Sequence, residues 1–467
     1  MTPKPAVQAD LDLLRSLASH PLFGQQSNDG QPFAIAPAPV RLPEAMATAI
    51  TTLGTDLVAF QSALNDLYWR SLHQPDLAFV TNYLDQGKDE TLRLLGQMKR
   101  LKGELPIITR PDLLWTDDGL KATELDAVPG GFGLVAALQA AYARTGYTPW
   151  GGAYGMVDSV GAALAALASA ANPLSAIVVS DESADYRPEM EALADLAAGR
   201  GFAIEVLSPK DLRFSEDGLL CPDGRRIDVL YRFFELFDWR NVPKAEIIFY
   251  LVKKRKLVLT PPVKAYLEEK LALALFRLPQ LHRFWREQLG EQAQVRLQRL
   301  FPESWVVDGR PLPPFAEISG LRLDGQPVHT FSQFSSLTQR QREDWLLKPS
   351  GFSPLAWGGH GVRLGADLSQ EAWQQAWQDA QQADRMGQSP WILQRYHKPQ
   401  VMAVERLESD GSRGMMEARW RVSPYYLTRG KAVDLAGVLV TAVPKDKKLV
   451  HGMSVAVMSV AADPDVA

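Results

Sequence analysis

Between residues 175 and 260 the chain alternates short apolar β runs with a helical run, and few architectures accept that alternation. Ala176-Ile177-Val178-Val179, the run 202–208, the run 227–235 and Leu257-Val258-Leu259-Thr260 read as strands. Residues 186–199 between the first two read as a helix closed by Gly199 or Gly201. Strands that alternate with helices predict a parallel, doubly wound α/β unit.

The flanking sequence predicts other patterns. Met46, Ile50, Leu53, Leu57, Phe60, Leu64 and Leu67 recur at helical spacing, so 43–72 is expected to be a helix, with a second over 89–101. Short β runs follow at 107–109, 113–115 and 120–125, then an Ala-rich buried helix from Val157. Beyond residue 261 a helix is expected over 265–277, a solvated helix over 370–388 and strands at 345–348, 391–396, 418–422, 437–443 and 454–460. The last eight residues read as a tail. This gives a mixed α/β chain in four stretches: a helical region 1–104, then 105–174, 175–260 and 261–467.

Composition excludes some functions. Lys and Arg number 50 against 54 Asp and Glu, a net charge of −4, so no general basic field exists to hold nucleic acid. The single cysteine, Cys221, excludes a disulfide framework and a thiolate zinc cluster. The longest apolar stretch, 157–179, is broken by Asn172-Pro173, and the first residues lack the apolar core of a signal peptide. A cytoplasmic protein without membrane partners is expected. Oligomeric state is left open.

The most informative segment is 110–126. Asp117-Asp118-Gly119 predicts a three-residue hairpin turn that sets Thr116 opposite Leu120. Asp112 then lies opposite Glu124, and Arg110 opposite Asp126, all on one face. Opposed carboxylates repel at about 5 Å unless a cation joins them. A hard divalent ion held by Asp112, Glu124 and Asp126 is one reading; a solvent-facing hairpin with scattered acids is the other. Pro129 and Gly130, Gly131 and Gly133 follow, where the backbone is expected to approach a ligand closely.

A second constellation joins Lys348-Pro349 to the Gly-rich loop Gly358-Gly359-His360-Gly361. Such loops offer backbone N–H groups to phosphate oxygens, and the lysine adds a point charge. The order differs from a P-loop. Gln394 and Arg395 end an apolar run that can offer amide and backbone groups to an adenine. Lys270 sits on the expected 265–277 helix. Arg232 can bind a substrate carboxylate, or pair with Asp228 or Glu235. Arg419 and Arg421 share a strand face, as a substrate site or as a structural pair.

Taken in order, these segments resemble the ATP-grasp ligases, in the circularly permuted branch that includes the synthetase domain of glutathionylspermidine synthetase. That branch carries R-x-D, then E-x-N after a short hairpin, matched here by Arg110, Asp112, Glu124 and Asp126, with Asp in place of Asn. Its two lysine elements resemble Glu269-Lys270-Leu271 and Lys348-Pro349. The resemblance implies an inserted pre-ATP-grasp-like α/β domain at 175–260. It implies ATP bound by Lys270, Lys348, Gly358, Gly359, Gly361, Gln394 and Arg395, with two Mg²⁺ ions on Asp112, Glu124 and Asp126. Arg110 and Glu124 would be catalytic; Arg232, Arg419 and Arg421 are substrate candidates on their own sequence context alone. The implied reaction joins a small-molecule or peptide carboxylate to an amine through an acyl phosphate. A non-catalytic nucleotide- or peptide-binding module is the alternative.

Overall fold

The computed structural model describes residues 33–465, apart from 311, 314–315, 357–358, 409–411 and 453–454. Gly358 therefore lies outside the described residues.

The parallel unit forms as the alternation requires. Leu174–Val179, Ala203–Leu207, Val229–Phe233 and Val258–Thr260 make a four-stranded sheet in which every pairing is parallel. Its strands are apolar on both faces because both are covered. Ile177, Val179 and Tyr231 join a core with Val135, Leu138 and Leu193. Ala176, Val178 and Leu230 join another with Ile248, Phe249 and Val252. A three-stranded antiparallel ribbon, 213–227, is inserted before Val229 and buries Cys221 nearby.

A seven-stranded sheet forms the centre, in the order Val401–Leu407, Ala34–Ile35, Val457–Val460, Ala432–Pro444, Arg413–Arg429, Ile108–Thr116, Gly119–Asp126. The helix Glu44–Ser71 lies in its core, with all seven periodic residues from Met46 to Leu67 buried. The first hundred residues are thus not purely helical, because Ala34–Ile35 inserts into this sheet. The expected tail also begins later, since Ala461 bridges Val40 and Ala462 bridges Pro149.

A third, antiparallel sheet runs Ser304–Val306, Trp391–Arg395, Trp345–Pro349, Arg363–Leu364. The helix Gln370–Arg385 is more than a solvated rod, because it buries Trp373 and Trp377 in the core of this sheet. No helix of the described residues is long and apolar enough to cross a membrane.

Two expectations fail locally. The helix expected over 265–277 is broken into a turn, Ala265–Leu267, and a short helix, Ala272–Arg277, with Lys270 between them. The glycines after Asp126 face protein instead of a ligand. A Cβ on Gly130 would meet Tyr186 at 2.2 Å, one on Gly131 the Tyr425 hydroxyl at 2.5 Å, and one on Gly133 the Glu189 carbonyl at 2.0 Å. There the helix Phe132–Arg144 begins, and the Glu189 carboxylate accepts from the amides of Gly131 (2.7 Å) and Leu134 (3.2 Å), capping it.

Gly133→Ala forces the helices Phe132–Arg144 and Arg187–Ala198 apart, at about 1–3 kcal/mol for overpacking. Its melting temperature is expected to fall, whereas Gly103→Ala, where nothing lies within 4 Å, leaves it unchanged. Equal melting temperatures for the two variants would refute this packing account.

Candidate active site

The hairpin brings its acids together by a different route from the expected one. Thr116 pairs with Gly119, not Leu120, and this register runs to Leu113 opposite Ala122. It then shifts between Asp112 and Leu113, so that Asp112 faces Glu124 and Arg110 faces Asp126. Thr123 is the extra residue of this bulge. Its carbonyl, free of the ladder, accepts a hydrogen bond from Lys348 Nζ at 2.7 Å. The bulge thus joins the seven-stranded sheet to the third sheet.

The cations that join the carboxylates belong to the protein. Arg110 places Nε 3.1 Å from Asp112 Oδ1, donates from Nη2 to Asp126 Oδ2 at 3.0 Å, and from Nη1 to the Gly130 carbonyl at 3.0 Å. Arg421 Nη1 lies 3.1 Å from Asp112 Oδ2, and the Ser423 hydroxyl donates to Asp112 Oδ1 at 2.8 Å. Lys270 Nζ lies 3.2 Å from Glu124 Oε2 and donates to the Ala356 carbonyl. Lys270 and Lys348, far apart in sequence, therefore meet at this hairpin.

The metal expectation changes accordingly. Asp112 is 1% exposed, and both its oxygens are taken by Arg110, Arg421 and Ser423, so it is not an available ligand. Among the described residues no group of three or more acidic, His or Cys side chains has the arrangement of a metal site. The Glu124 and Asp126 carboxylates are partly exposed, at 28% and 31%, and offer hard oxygen donors of the type Mg²⁺ prefers.

Electrostatics follow from burial. Burial alone would raise the Glu124 carboxyl, but Lys270, Lys348 and Arg110 outweigh it and hold it well below the usual range. Burial pushes Lys348 down to about 7, although Glu124 pulls the other way. Burial raises Asp126 against the opposing Arg110 charge. Two further acids feel its charge: Glu268, which sequence reasoning missed, and Glu235, which it considered only as a partner of Arg232. Burial, then the charges of Glu268 and Asp126, push Glu235 up to about 8. Glu235 follows the parallel strand Val229–Phe233, and Glu268 follows the turn Ala265–Leu267; that position points to a site only once the fold is known.

Other expected site residues are committed elsewhere. Arg232 is fully buried, bonded to the carbonyls of Pro261, Phe234 and Pro262 and to Glu268, so it is a structural clasp and cannot reach substrate. It pairs with neither Asp228 nor Glu235. Arg419 donates to the carbonyls of Lys445 (2.9 Å) and Pro399, whereas Arg421 joins the site. The strand holding Gln394 and Arg395 is interior. Gln394 pairs with both Ser304 and Leu346, so its backbone lies inside the sheet, and its side-chain amide donates to Ser304 Oγ at 2.9 Å. The Arg395 guanidinium stacks over Trp345 at 4.7 Å. Gly361 is a packing glycine, since a Cβ there would sit 2.4 Å from the Leu355 carbonyl, and Gly359 takes a left-handed φ of 76° beside His451.

A pH test separates Glu235 from the other acids. Its raised pKa means the folded state binds this proton more tightly, so the contribution of Glu235 to stability falls as pH rises from about 4.3 to about 8. Glu235→Gln removes this contribution and leaves those of the other acids. The variant is expected to melt with wild type near pH 4 and above it at pH 8.5; an offset that does not change with pH would contradict the assignment.

No family model matches the sequence, and no curated protein matches it. Among solved structures, a putative γ-glutamylcysteine synthetase from Methylobacillus flagellatus aligns over 87% of this chain and 84% of its own, with a TM-score of 0.43 and 10% identity. A glutathione synthetase-like effector (GSS30) from Globodera pallida, in its apo form, covers 99% of this chain and 98% of its own, with a TM-score of 0.56 and 12% identity. The latter likeness runs nearly end to end, and the chain has the fold of that glutathione synthetase-like protein.

Proposed function

We propose that the chain is an ATP- and Mg²⁺-dependent carboxylate–amine ligase of the ATP-grasp kind, in the permuted branch resembling the synthetase domain of glutathionylspermidine synthetase. The observation that supports this reading is the convergence of Lys270 and Lys348 on the Glu124 hairpin, where two sheets meet. Arg110, Arg421 and Lys270 balance the charges of Asp112, Glu124 and Asp126, and Lys348, whose proton burial loosens, would hold that proton more tightly beside an anionic ligand. ATP phosphate oxygens would replace the Thr123 and Ala356 carbonyls as acceptors for the two lysines. Mg²⁺ on Glu124 and Asp126 would neutralise phosphate charge. Arg110, fixed by Asp112, would stay aimed at the same face.

In this reading a substrate carboxylate oxygen bonds to the γ-phosphorus and ADP leaves. The amine nitrogen then bonds to the acyl carbon, phosphate leaves, and the nitrogen loses a proton. The protein contributes positioning and electrostatic stabilisation, with no covalent nucleophile. The likeness to a glutathione synthetase-like effector supports a second reading, in which the same site binds a nucleotide or peptide without turnover.

Thermal shift with ATP, with and without Mg²⁺, followed by an ADP-release screen over amino acids, small peptides and polyamines, tests both readings. Lys348→Ala is expected to weaken ATP binding at least tenfold. Glu124→Gln should retain ATP but slow ADP release by about 10²–10³. ATP affinity unchanged in Lys348→Ala refutes the nucleotide site; ATP binding without ADP release from any pair favours the second reading.

A further inference from the structure

Lys270 lies in a turn, not on a helix, and the turn is fastened on both sides. Glu269, just before it, is buried and ion-paired with Lys88; their side chains are 0% and 1% exposed. The other Glu269 oxygen accepts from the Ser350 hydroxyl. Leu271, just after Lys270, donates its amide to the same Ser350 oxygen at 3.1 Å. Ser350 itself is fully buried and stands two residues beyond Lys348. Next to it Gly351 packs so closely on the turn that a Cβ would lie 1.5 Å from the Glu268 carbonyl. One serine hydroxyl therefore ties the backbone that carries Lys270 to the strand end that carries Lys348.

We propose that Lys88, Glu269 and Ser350 are positioning residues that set Lys270 against Lys348, with Lys88 lending the counter-charge from the N-terminal helical region. The inference rests on the phosphate-site reading of the two lysines. Loops left to themselves would let either ammonium move by more than the width of a hydrogen bond, and misplacement of that size loses binding and rate alike. A buried carboxylate bonded at both oxygens removes that freedom, and it requires a buried cation to be tolerable. Lys88 also stacks on Phe352 at 5.1 Å, so the same ammonium braces the start of the glycine-rich loop.

Ser350→Ala removes the shared hydroxyl but leaves the Lys88–Glu269 ion pair. Two measurements are made on the full chain. The first is the rate of acetylation of each lysine by acetic anhydride, read by mass spectrometry without nucleotide. Lys270 and Lys348 are expected to react about tenfold faster in Ser350→Ala, with surface lysines such as Lys431 unchanged. The second is ATP affinity, expected to fall about tenfold in Ser350→Ala but not in Leu193→Ala, a core change in the parallel-sheet layer that lowers stability elsewhere. Unchanged acetylation of Lys270 and Lys348 overturns the clamp whatever ATP does. Faster acetylation in a protein that binds no ATP upholds the clamp and overturns the phosphate site. Affinity lost equally in both variants reduces Ser350 to a stabilising residue and also overturns the proposal.

Discussion

A single extra residue in one strand governs the arrangement of this protein. Without the bulge at Thr123, a two-residue turn at Asp117-Asp118 would have placed Asp112 opposite Thr123, whose side chain is neutral. The bulge restores the pairing of Asp112 with Glu124 and of Arg110 with Asp126, and it frees a carbonyl for Lys348. Side-chain period in a strand is two, so a slip of one residue moves a charge to the other face. The acids can share a face because Arg110 spans Asp112 and Asp126 and Lys270 reaches Glu124. In a partly buried place, such pairing separates a tolerable cluster from a costly one.

Much of the fold was legible because its signals are local. The parallel unit followed from strand–helix alternation, and the Glu44–Ser71 helix from its seven periodic apolar residues. The opposition of Asp112 and Glu124 was also legible, though through compensating errors: the turn is one residue shorter than expected and the bulge adds that residue back. Illegible features were those decided by tertiary contact. Nothing local tells Arg232, sealed among carbonyls, from Arg421, which touches Asp112. The break at Lys270 defeats a strong helical pattern because Ser350, distant in sequence, captures Leu271 N. The glycines after Asp126 carried a correct message, close approach, but the approaching groups are Tyr186, Glu189 and Tyr425.

The third sheet shows why a strand's end residues cannot be assigned to a ligand from sequence. Within its paired length a strand offers backbone groups to a ligand only at an edge, and Trp391–Arg395 has neighbours on both sides. Gln394, buried between them, spends its amide on Ser304. By contrast Lys348, equally buried on the adjacent strand, has no neighbouring carboxylate within its own sheet to satisfy it, and reaches across to the hairpin instead.

The short strand Ala34–Ile35 has a consequence for how the molecule comes to exist. It pairs in parallel with Val457–Val460 and antiparallel with Val401–Leu407, so both its partners are made hundreds of residues later. Contacts of such sequence separation are slow to form, because loop closure must be completed before they stabilise anything. During synthesis the residues of the helix Glu44–Ser71 are made long before the strands Arg413–Arg429 and Ala432–Pro444 that cover part of its apolar face. The central sheet is therefore the last part of the chain to become itself, whereas the parallel unit, whose four strands span fewer than ninety residues, can assemble while the remainder is still being made.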